Sequence, residues 1–463
     1  MSSIFSRILT KNLNQAVKYL EEAEKGNHHI TISEIEEALE ASFPAVRFQA
    51  VKTGVTLFRK ELKELLKKIF NVEILNEEPL HFSFPVVSER ERTLVNGIAI
   101  LSDRTFSPDN PENLNFVSEL TGKNFFVVFD KEFIGESYQA ALSYTLLFGK
   151  IPQDFLLSGK VFKDGNFLAD NLEEKRDFSK TLGKKLLGKG NIFLLNKVFE
   201  EGKVNIPFLI TKGDESALRD LSKSAKVDLK ILEPFLEIDD LVLKLPEYLP
   251  KENWLWITKS FKERIEKIIE EIPFIRKTFH FGFYSPSTLA LGLGSVIGTG
   301  KIPCVVYHFE NGNYVKVIDV ERNSRSIKVR KEKLEFVEVK EIIKGKGGKG
   351  ALVALQFASH EVRNKGKLIA EEKNLDYYYI TIRNFKGAIP LDLNWNDLTS
   401  EIYEALNRVY DEGYEKIYLI MSMPVPLAFG VGMAIGSYWN VEVLNYFKEG
   451  YFPVLNLLDI EKI

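Results

Sequence analysis

The sequence predicts a chain of mixed α/β and α+β class in three parts. These are an N-terminal helical segment (residues 1–75), an α+β domain (76–245) and a C-terminal pair of Rossmann-like halves (246–463). Three observations carry that expectation. Apolar residues follow a helical period up to about Phe70 and an alternating one from about Val72. Beyond Pro250, helix and strand patterns take turns to the C-terminus, the order of parallel α/β units. A stretch beginning at Phe283 recurs 138 positions later.

Each part is legible element by element. Leu13, Val17 and Leu20 form one helical stripe; Leu57, Leu62, Leu65, Leu66 and Ile69 form another. Thr31-Ile32-Ser33-Glu34 and Pro44 punctuate this segment, which reads as a helical platform without chemistry of its own. Leu80–Phe84 and Val95–Ile100 then alternate, and Asn124–Phe129 is a strong strand followed by a helix from Tyr138 to Phe148. Shorter strands are expected at Phe155–Leu157 and Phe208–Ile210. Leu245-Pro246-Glu247-Tyr248-Leu249-Pro250-Lys251 reads as a linker.

Composition narrows the chemistry. Hydrophobic residues are 45% and charged residues 27% of the 463, which excludes a mainly disordered chain. With 62 basic and 65 acidic residues the net charge is −3, so no direct DNA binding is expected. The single cysteine, Cys304, excludes internal disulfides and thiolate zinc clusters. Its apolar setting, Ile302-Pro303-Cys304-Val305-Val306, reads as a buried strand thiol rather than a nucleophile. The six histidines form no His-Glu-x-x-His motif, so a zincin is excluded. No apolar signal region and no apolar run of about 18 residues is present, and a cytoplasmic protein is expected.

The repeat pairs Phe283-Tyr284-Ser285-Pro286-Ser287-Thr288-Leu289-Ala290-Leu291-Gly292-Leu293-Gly294 with Met421-Ser422-Met423-Pro424-Val425-Pro426-Leu427-Ala428-Phe429-Gly430-Val431-Gly432. Pro286 to Pro424 and Gly298 to Gly436 keep the separation of 138, and Val305–Phe309 lines up with Val443–Phe447. Gly292, Gly294 and Gly298 have two readings: close helix packing on the sheet, or a dinucleotide fingerprint with Glu310 as the ribose acid. The proline at the helix start favours packing, since the glycines then fall inside a helix. The ligand-facing elements are then the turns Ser285-Pro286-Ser287-Thr288 and Ser422-Met423-Pro424-Val425. Free N–H groups and the hydroxyls of Ser285, Ser287 and Thr288 suit an anion there.

From Asn253 to Ile463 the chain resembles the SAVED domain, a cyclic-oligonucleotide sensor of bacterial antiphage systems built like two fused CARF-type halves. The paired Pro-x-x-x-Ala-x-Gly-x-Gly patterns and the aromatic-rich strands after them carry the resemblance, and Ala351–His360 resembles the family's extra strand ending in a polar turn. The resemblance implies a cyclic oligoadenylate lying across both halves, with cyclic tetra-adenylate the favoured ring. Adenines need stacking surfaces and edge hydrogen bonds. Tyr284, Tyr307, Phe309, Trp439 and Tyr446 are the aromatic candidates, each equally at home in a core. Gln356, Ser359, His360, Arg383 and Asn384 are the polar ones, and His360 reads either as a ligand contact or as a turn residue. Met423, Pro424 and Val425 complete the expected contacts. The basic stretches Lys328–Lys333 and Lys344–Gly350 read as solvated loops.

With no cysteine or histidine constellation, the remaining peptidase chemistry is serine with lysine. Phe133-Ile134-Gly135-Glu136-Ser137-Tyr138-Gln139-Ala140-Ala141 follows a strand and opens a helix. Ser137 therefore sits beside unpaired N–H groups that stabilise an oxyanion. The alternative is an N-cap serine with a surface lysine.

Residues 80–245 resemble the Lon-type peptidase domain. Its Gly-Pro-Ser-Ala-Gly nucleophile motif corresponds to Gly135-Glu136-Ser137-Tyr138-Gln139, its Thr-Gly-Glu strand to Ser158-Gly159-Lys160, and its Leu-Lys-Glu-Lys motif to Leu172-Glu173-Glu174-Lys175. Asn205–Ile210 looks like the family's late strand and Val227–Ile231 like its close. Glu136 stands where the family has proline, and Tyr138-Gln139 where it has a small pair. The resemblance implies Ser137 as nucleophile, Lys175 as a desolvated base with a lowered ammonium pKa, and Ser158 orienting Lys175.

Together the parts resemble CRISPR-associated Lon–SAVED proteases. In that family the nucleotide drives head-to-tail homo-oligomerisation, and the assembly cleaves a partner protein encoded nearby. No cofactor or metal is expected. A catalytically inactive nucleotide sensor and a dinucleotide-dependent enzyme remain as alternatives.

Overall fold

Helices fill most of residues 4–70, with Asn12 and Thr31 capping two of them through their side chains and Pro44 opening a third. The computed structural model describes residues 4–76, 78–88, 91–213, 216–300, 302–345, 349–384 and 388–463. It divides into two compact units, Met1–Glu200 and Glu201–Ile463.

The first unit opens with α1 (Ile4–Leu9), α2 (Leu13–Glu24), α3 (Ile32–Glu40), α4 (Pro44–Leu57) and α5 (Arg59–Phe70). Thr31 and Glu34 satisfy each other's backbone N–H groups at the start of α3, Pro44 opens α4, and left-handed Asn71 ends α5. β1 (Leu80–Val87) and β2 (Arg92–Leu101) form an antiparallel hairpin; α6 (Leu114–Thr121) follows, and β3 (Phe125–Phe129) pairs with β2. α7 (Gln139–Phe148) leads to β4 (Phe155–Leu157), β5 (Lys160–Val161), β6 (Asn166–Leu168), α8 (Leu172–Thr181), β7 (Lys185–Leu187), β8 (Lys189–Asn191) and α9 (Ile192–Glu201). The helical segment is not a separate platform. Leu20, Leu39, Val51 and Leu66 share one core with Ile98, Ile100, Phe126 and Val128 of the sheet.

The second unit begins at β9 (Lys203–Thr211), well before the expected boundary at 245. After α10 (Ser216–Ala225), β10 (Val242–Lys244), α11 (Trp254–Glu271) and β11 (Arg276–Phe283), β9 lies between β10 and β11 in parallel register. Residues 203–245 thus build the second unit's first sheet, and Asn205–Ile210 and Val227–Ile231 are no part of the first unit. Leu245–Lys251 is likewise internal to the second unit rather than a linker between units. The strand expected at Phe208–Ile210 runs over nine residues, Lys203–Thr211, its polar start and interior proline having masked its length.

α12 (Ser287–Ile297), β12 (Cys304–Glu310) and β13 (Asn313–Asp319) complete the first half. The second half holds β14 (Val337–Ile343), β15 (Gly350–Gln356), α13 (Arg363–Lys373), β16 (Asp376–Ile382), α14 (Trp395–Tyr410), β17 (Lys416–Ser422), α15 (Val425–Ile435), β18 (Val441–Phe447) and β19 (Gly450–Asn456). The sheet orders are β10-β9-β11-β12-β13 and β14-β16-β15-β17-β18-β19. Strand order reverses at β9/β11 and at β15/β17, and the registers agree, with Phe283 opposite Ile210 and Met421 opposite Leu355. The supposed extra strand Ala351–Gln356 is therefore the central strand of the second half, the counterpart of β9.

The halves meet through α12 and α15. A Cβ on Gly294 would lie 2.0 Å from the Phe429 carbonyl oxygen, and one on Gly432 would lie 1.9 Å from that of Leu291. Leu291 and Phe429 are themselves repeat partners, so the contact obeys the duplication's two-fold symmetry. Gly294 and Gly432 thus serve packing of helix on helix, while a Cβ on Gly292 would meet Leu455 of the second half's sheet at 2.6 Å. The burial of Gly292 and Gly294 inside α12 removes the dinucleotide fingerprint. Between the halves the basic stretch is held down, not free: Arg330 pairs with Asp411 at 2.9 Å and Lys331 with Asp397 at 3.3 Å. The buried Glu401 carboxylate accepts the N–H groups of Glu335, Phe336 and Val337 at 2.7–2.9 Å. Of the second basic stretch, Lys346–Gly348 lie outside the described residues. Among the described residues no helix is long and apolar enough to cross a membrane.

Gly294→Ala and Gly432→Ala are each expected to destabilise the chain by about 1–3 kcal/mol, since backbone on the facing helix cannot yield as a side chain would. Gly300→Ala, which meets nothing within 4 Å, is the control. Denaturant midpoints of the three variants check this.

Candidate functional site

Two turns and one helix bring Ser137 and Lys175 together. Ser137 lies in the turn before α7. Gly159, after β4, donates its N–H to the Ser137 carbonyl at 3.0 Å and accepts from Ala140 N–H at 3.0 Å, fixing the Ser137 turn from behind. Gly159 has φ +146°, and a Cβ there would meet Leu168 backbone at 2.6 Å, so only glycine fits. Lys175 stands in the first turn of α8 with its side chain 1% exposed. Its Nζ donates to Ser137 Oγ at 2.8 Å.

Ser158 does not reach the lysine. Its hydroxyl donates to the Ser137 carbonyl at 3.4 Å, so it steadies the Ser137 backbone instead. The residues that depart from the family motif have structural duties. Tyr138 is buried among Phe84, Phe129 and Phe133 with its hydroxyl on the Glu112 carbonyl. Gln139 is buried and accepts the Val161 N–H at 3.1 Å. Glu136 takes Lys160 at 2.7 Å, the Asn113 amide and Gln139 at 3.2 Å. Burial pushes its carboxyl up, but the hydrogen bonds from Lys160 and Asn113 outweigh that and hold it below the ordinary glutamate value. Among the described residues the N–H groups of Ser137 and Tyr138 donate to no backbone acceptor, leaving donors beside the hydroxyl.

Asp170, which the sequence reading missed, completes the cluster. Its Oδ1 accepts from Lys175 Nζ and from the Ser137 hydroxyl, the latter at 3.1 Å. Burial raises its carboxyl, and Lys175 and Ser137 more than reverse the effect, so the net shift is downward. A single aspartate in a polar turn carries no periodic signal; only its position five residues before Lys175 hinted at it.

The ligand candidates scatter more. At the switch point of the first half, Tyr284 is 66% exposed and its N–H donates to the Ile210 carbonyl at 2.7 Å. Ser285, Pro286 and Ser287 are half-buried at the mouth of α12, and buried Thr288 donates to Asn445 of the second half at 2.8 Å. At the other switch point, Phe357 and Ala358 N–H groups reach the Ser422 carbonyl at 2.6 and 2.9 Å. Gln356 is tied to Tyr379 at 3.3 Å, whereas Ser359 and His360 are exposed. His360 lies 5.9 Å, ring to ring, from half-exposed Tyr446, whose face carries Lys365 at 4.3 Å. Pro424 and Val425 are half-buried at the start of α15, and Met423 is buried. Arg383 and Asn384 sit one strand further out, lining a cavity of about 470 Å³ with Phe336 and Pro390.

Trp439 is not at this edge. It precedes β18, at the opposite end of the parallel strands, and stacks on Tyr410 and Tyr403 at 4.6 and 5.6 Å. Tyr307 is buried against His280 at 2.9 Å. Lys365, Asn445 and Thr211-Lys212-Gly213 went unnoticed in the sequence. The last is the counterpart of Gln356-Phe357-Ala358 and becomes visible only once β9 is assigned to the first half. Among the described residues no group of His, Cys, Asp and Glu is arranged to hold a metal ion.

No protein-family model matches the chain, and no curated protein matches it. Solved structures are similar to parts of it, among them three SAVED/CARF-domain receptors. One is the Acinetobacter baumannii Cap4 SAVED/CARF-domain containing receptor with the cyclic trinucleotide 3'3'3'-cAAA, at 16% identity over 64% of this chain and 63% of that one, TM-score 0.40. The same receptor with 2'3'3'-cAAA is 15% identical over 72% of this chain and 68% of that one, TM-score 0.41. The Moraxella osloensis Cap4 receptor is 15% identical over 72% and 67%, TM-score 0.39. This chain thus spans less than two thirds of the length of the first.

Lys175→Met is expected to leave the fold intact, with a melting temperature within about 5 °C of the parent. The substitution removes a buried charge in favour of an apolar group of similar length, and the abandoned Asp170 carboxylate is already largely in water. Thermal unfolding followed by circular dichroism checks this.

Proposed function

We propose that the chain is a cyclic-oligoadenylate-activated serine peptidase of antiviral CRISPR-type signalling, which cuts a partner protein after ligand-induced oligomerisation. The observation that carries the reading is the 2.8 Å contact between the Ser137 hydroxyl and an amine that water barely reaches.

The chemistry follows from that pair. Ser137 Oγ attacks a peptide carbonyl while the unprotonated Lys175 amine takes the hydroxyl proton. The developing oxyanion meets the free N–H groups of Ser137 and Tyr138 at the mouth of α7. Lys175 returns the proton to the leaving amine, and water, activated by the same lysine, releases the acyl group.

Sensing belongs to the duplicated unit. Ligands of open α/β sheets bind where strand order reverses, at the C-terminal strand ends, and this unit has two such places. Tyr284 and the Tyr446–His360 pair offer stacking faces. Lys365, Ser285, Ser287 and the starts of α12 and α15 suit phosphodiesters. A ligand activates only by binding the active assembly more tightly than the resting chain. A ring left exposed on one face and contacted by the next subunit, head to tail, supplies that difference.

The second reading, a nucleotide sensor with an inactive peptidase domain, is favoured by the Lys175–Asp170 contact, which occupies the base. Cleavage of neighbouring gene products separates the two. With a panel of cyclic tri-, tetra- and hexa-adenylates, the parent is expected to cut one product. Ser137→Ala should lose roughly a thousand-fold or more of that rate. Ligand-dependent cutting that survives in Ser137→Ala overturns the assignment.

Ligand gating has its own measurement. Sedimentation velocity with cyclic tetra-adenylate is expected to show species larger than the ligand-free chain. Tyr446→Ala should weaken binding by roughly 5- to 100-fold, the worth of one stacked base. An unchanged sedimentation profile at saturating ligand counts against gated assembly.

A further inference from the structure

Asp170 sits in the turn between β6 and α8, just before left-handed Asn171. One of its oxygens accepts both the Lys175 amine and, at 3.1 Å, the Ser137 hydroxyl. The lysine in turn donates to Ser137 Oγ at 2.8 Å. Every proton in this cluster points the wrong way for attack. A general base must offer a lone pair to the hydroxyl, whereas an amine held against a carboxylate is an ammonium that offers protons. The serine proton, for its part, is directed at an aspartate whose carboxyl is too acidic to keep it.

The two charged partners differ in how easily they leave. Lys175 is 1% exposed and fixed on a helix; the Asp170 side chain is 70% exposed, on a turn. Swinging the carboxylate outward moves it from a largely hydrated place to a fully hydrated one. The same movement takes away the carboxylate that occupies the amine and leaves Ser137 Oγ as its partner.

We propose that Asp170 is an ionic latch on the dyad: it holds Lys175 protonated and Ser137 idle, and its departure from the amine is the step that arms the nucleophile. The inference rests on the peptidase reading and makes Asp170 a positioning residue, not a catalytic one.

The test uses the full chain without nucleotide and a fluorophosphonate probe, in which Ser137 Oγ displaces fluoride and forms a P–O bond. Labelling at neutral pH is followed by intact mass. Asp170→Asn keeps the shape and an acceptor oxygen but removes the charge. It should label at least about ten-fold faster than the parent, with an unchanged melting temperature. The double variant Asp170→Asn, Lys175→Met should fall back to the rate of Ser137→Ala, because the gain runs through the lysine. If Asp170→Asn labels no faster than a parent that itself exceeds Ser137→Ala, the latch is wrong while the nucleophile stands. Gain that persists without Lys175 also overturns the latch. If neither parent nor Asp170→Asn exceeds Ser137→Ala, nucleophile and latch fall together.

Discussion

The site depends on one electrostatic constraint: an amine taken out of water must be paired or lose its proton. The Lys175 side chain is 1% exposed, and its charge is met by one carboxylate and one hydroxyl. Every other feature of the region serves to put those three groups in one place. Gly159 clamps the turn carrying Ser137, Ser158 bonds the same carbonyl, and the aromatic cluster around Tyr138 seats the start of α7. The surrounding packing buries the lysine and the serine, whereas the Asp170 side chain is 70% exposed.

A second constraint, steric rather than electrostatic, shapes the other unit. Duplicated halves must bury a face against each other, and here helix backbones approach until a methyl group would overlap a carbonyl oxygen on both sides. Only glycine permits that approach, and symmetry demands it twice. Close helix contact and matching strand registers then give each half its own switch-point crevice. Thr288 and Asn445 bridge the halves at that edge.

The misreadings have physical causes. β9 begins with Lys203 and contains Asn205 and Pro207, so local pattern tied it to the preceding domain. Its partners, β10 and β11, lie 31 or more residues downstream and cannot be inferred from composition. Trp439 has the chemistry to stack on a base, but Tyr403 and Tyr410 of α14 reach it first. Ser158 was expected on the lysine because both occur in motifs of the right order, yet order does not set the direction of a hydroxyl.

The sequence by itself determined most element types, the duplication and the glycine-bearing helices. Each leaves a periodic or repeated trace in the residues. Only the tertiary structure decided where one unit ends, which aromatics face solvent and that Asp170 contacts both Ser137 and Lys175. These depend on strand partners and burial remote in the chain, and an isolated polar residue in a turn acquires its meaning only from what the fold carries up to it.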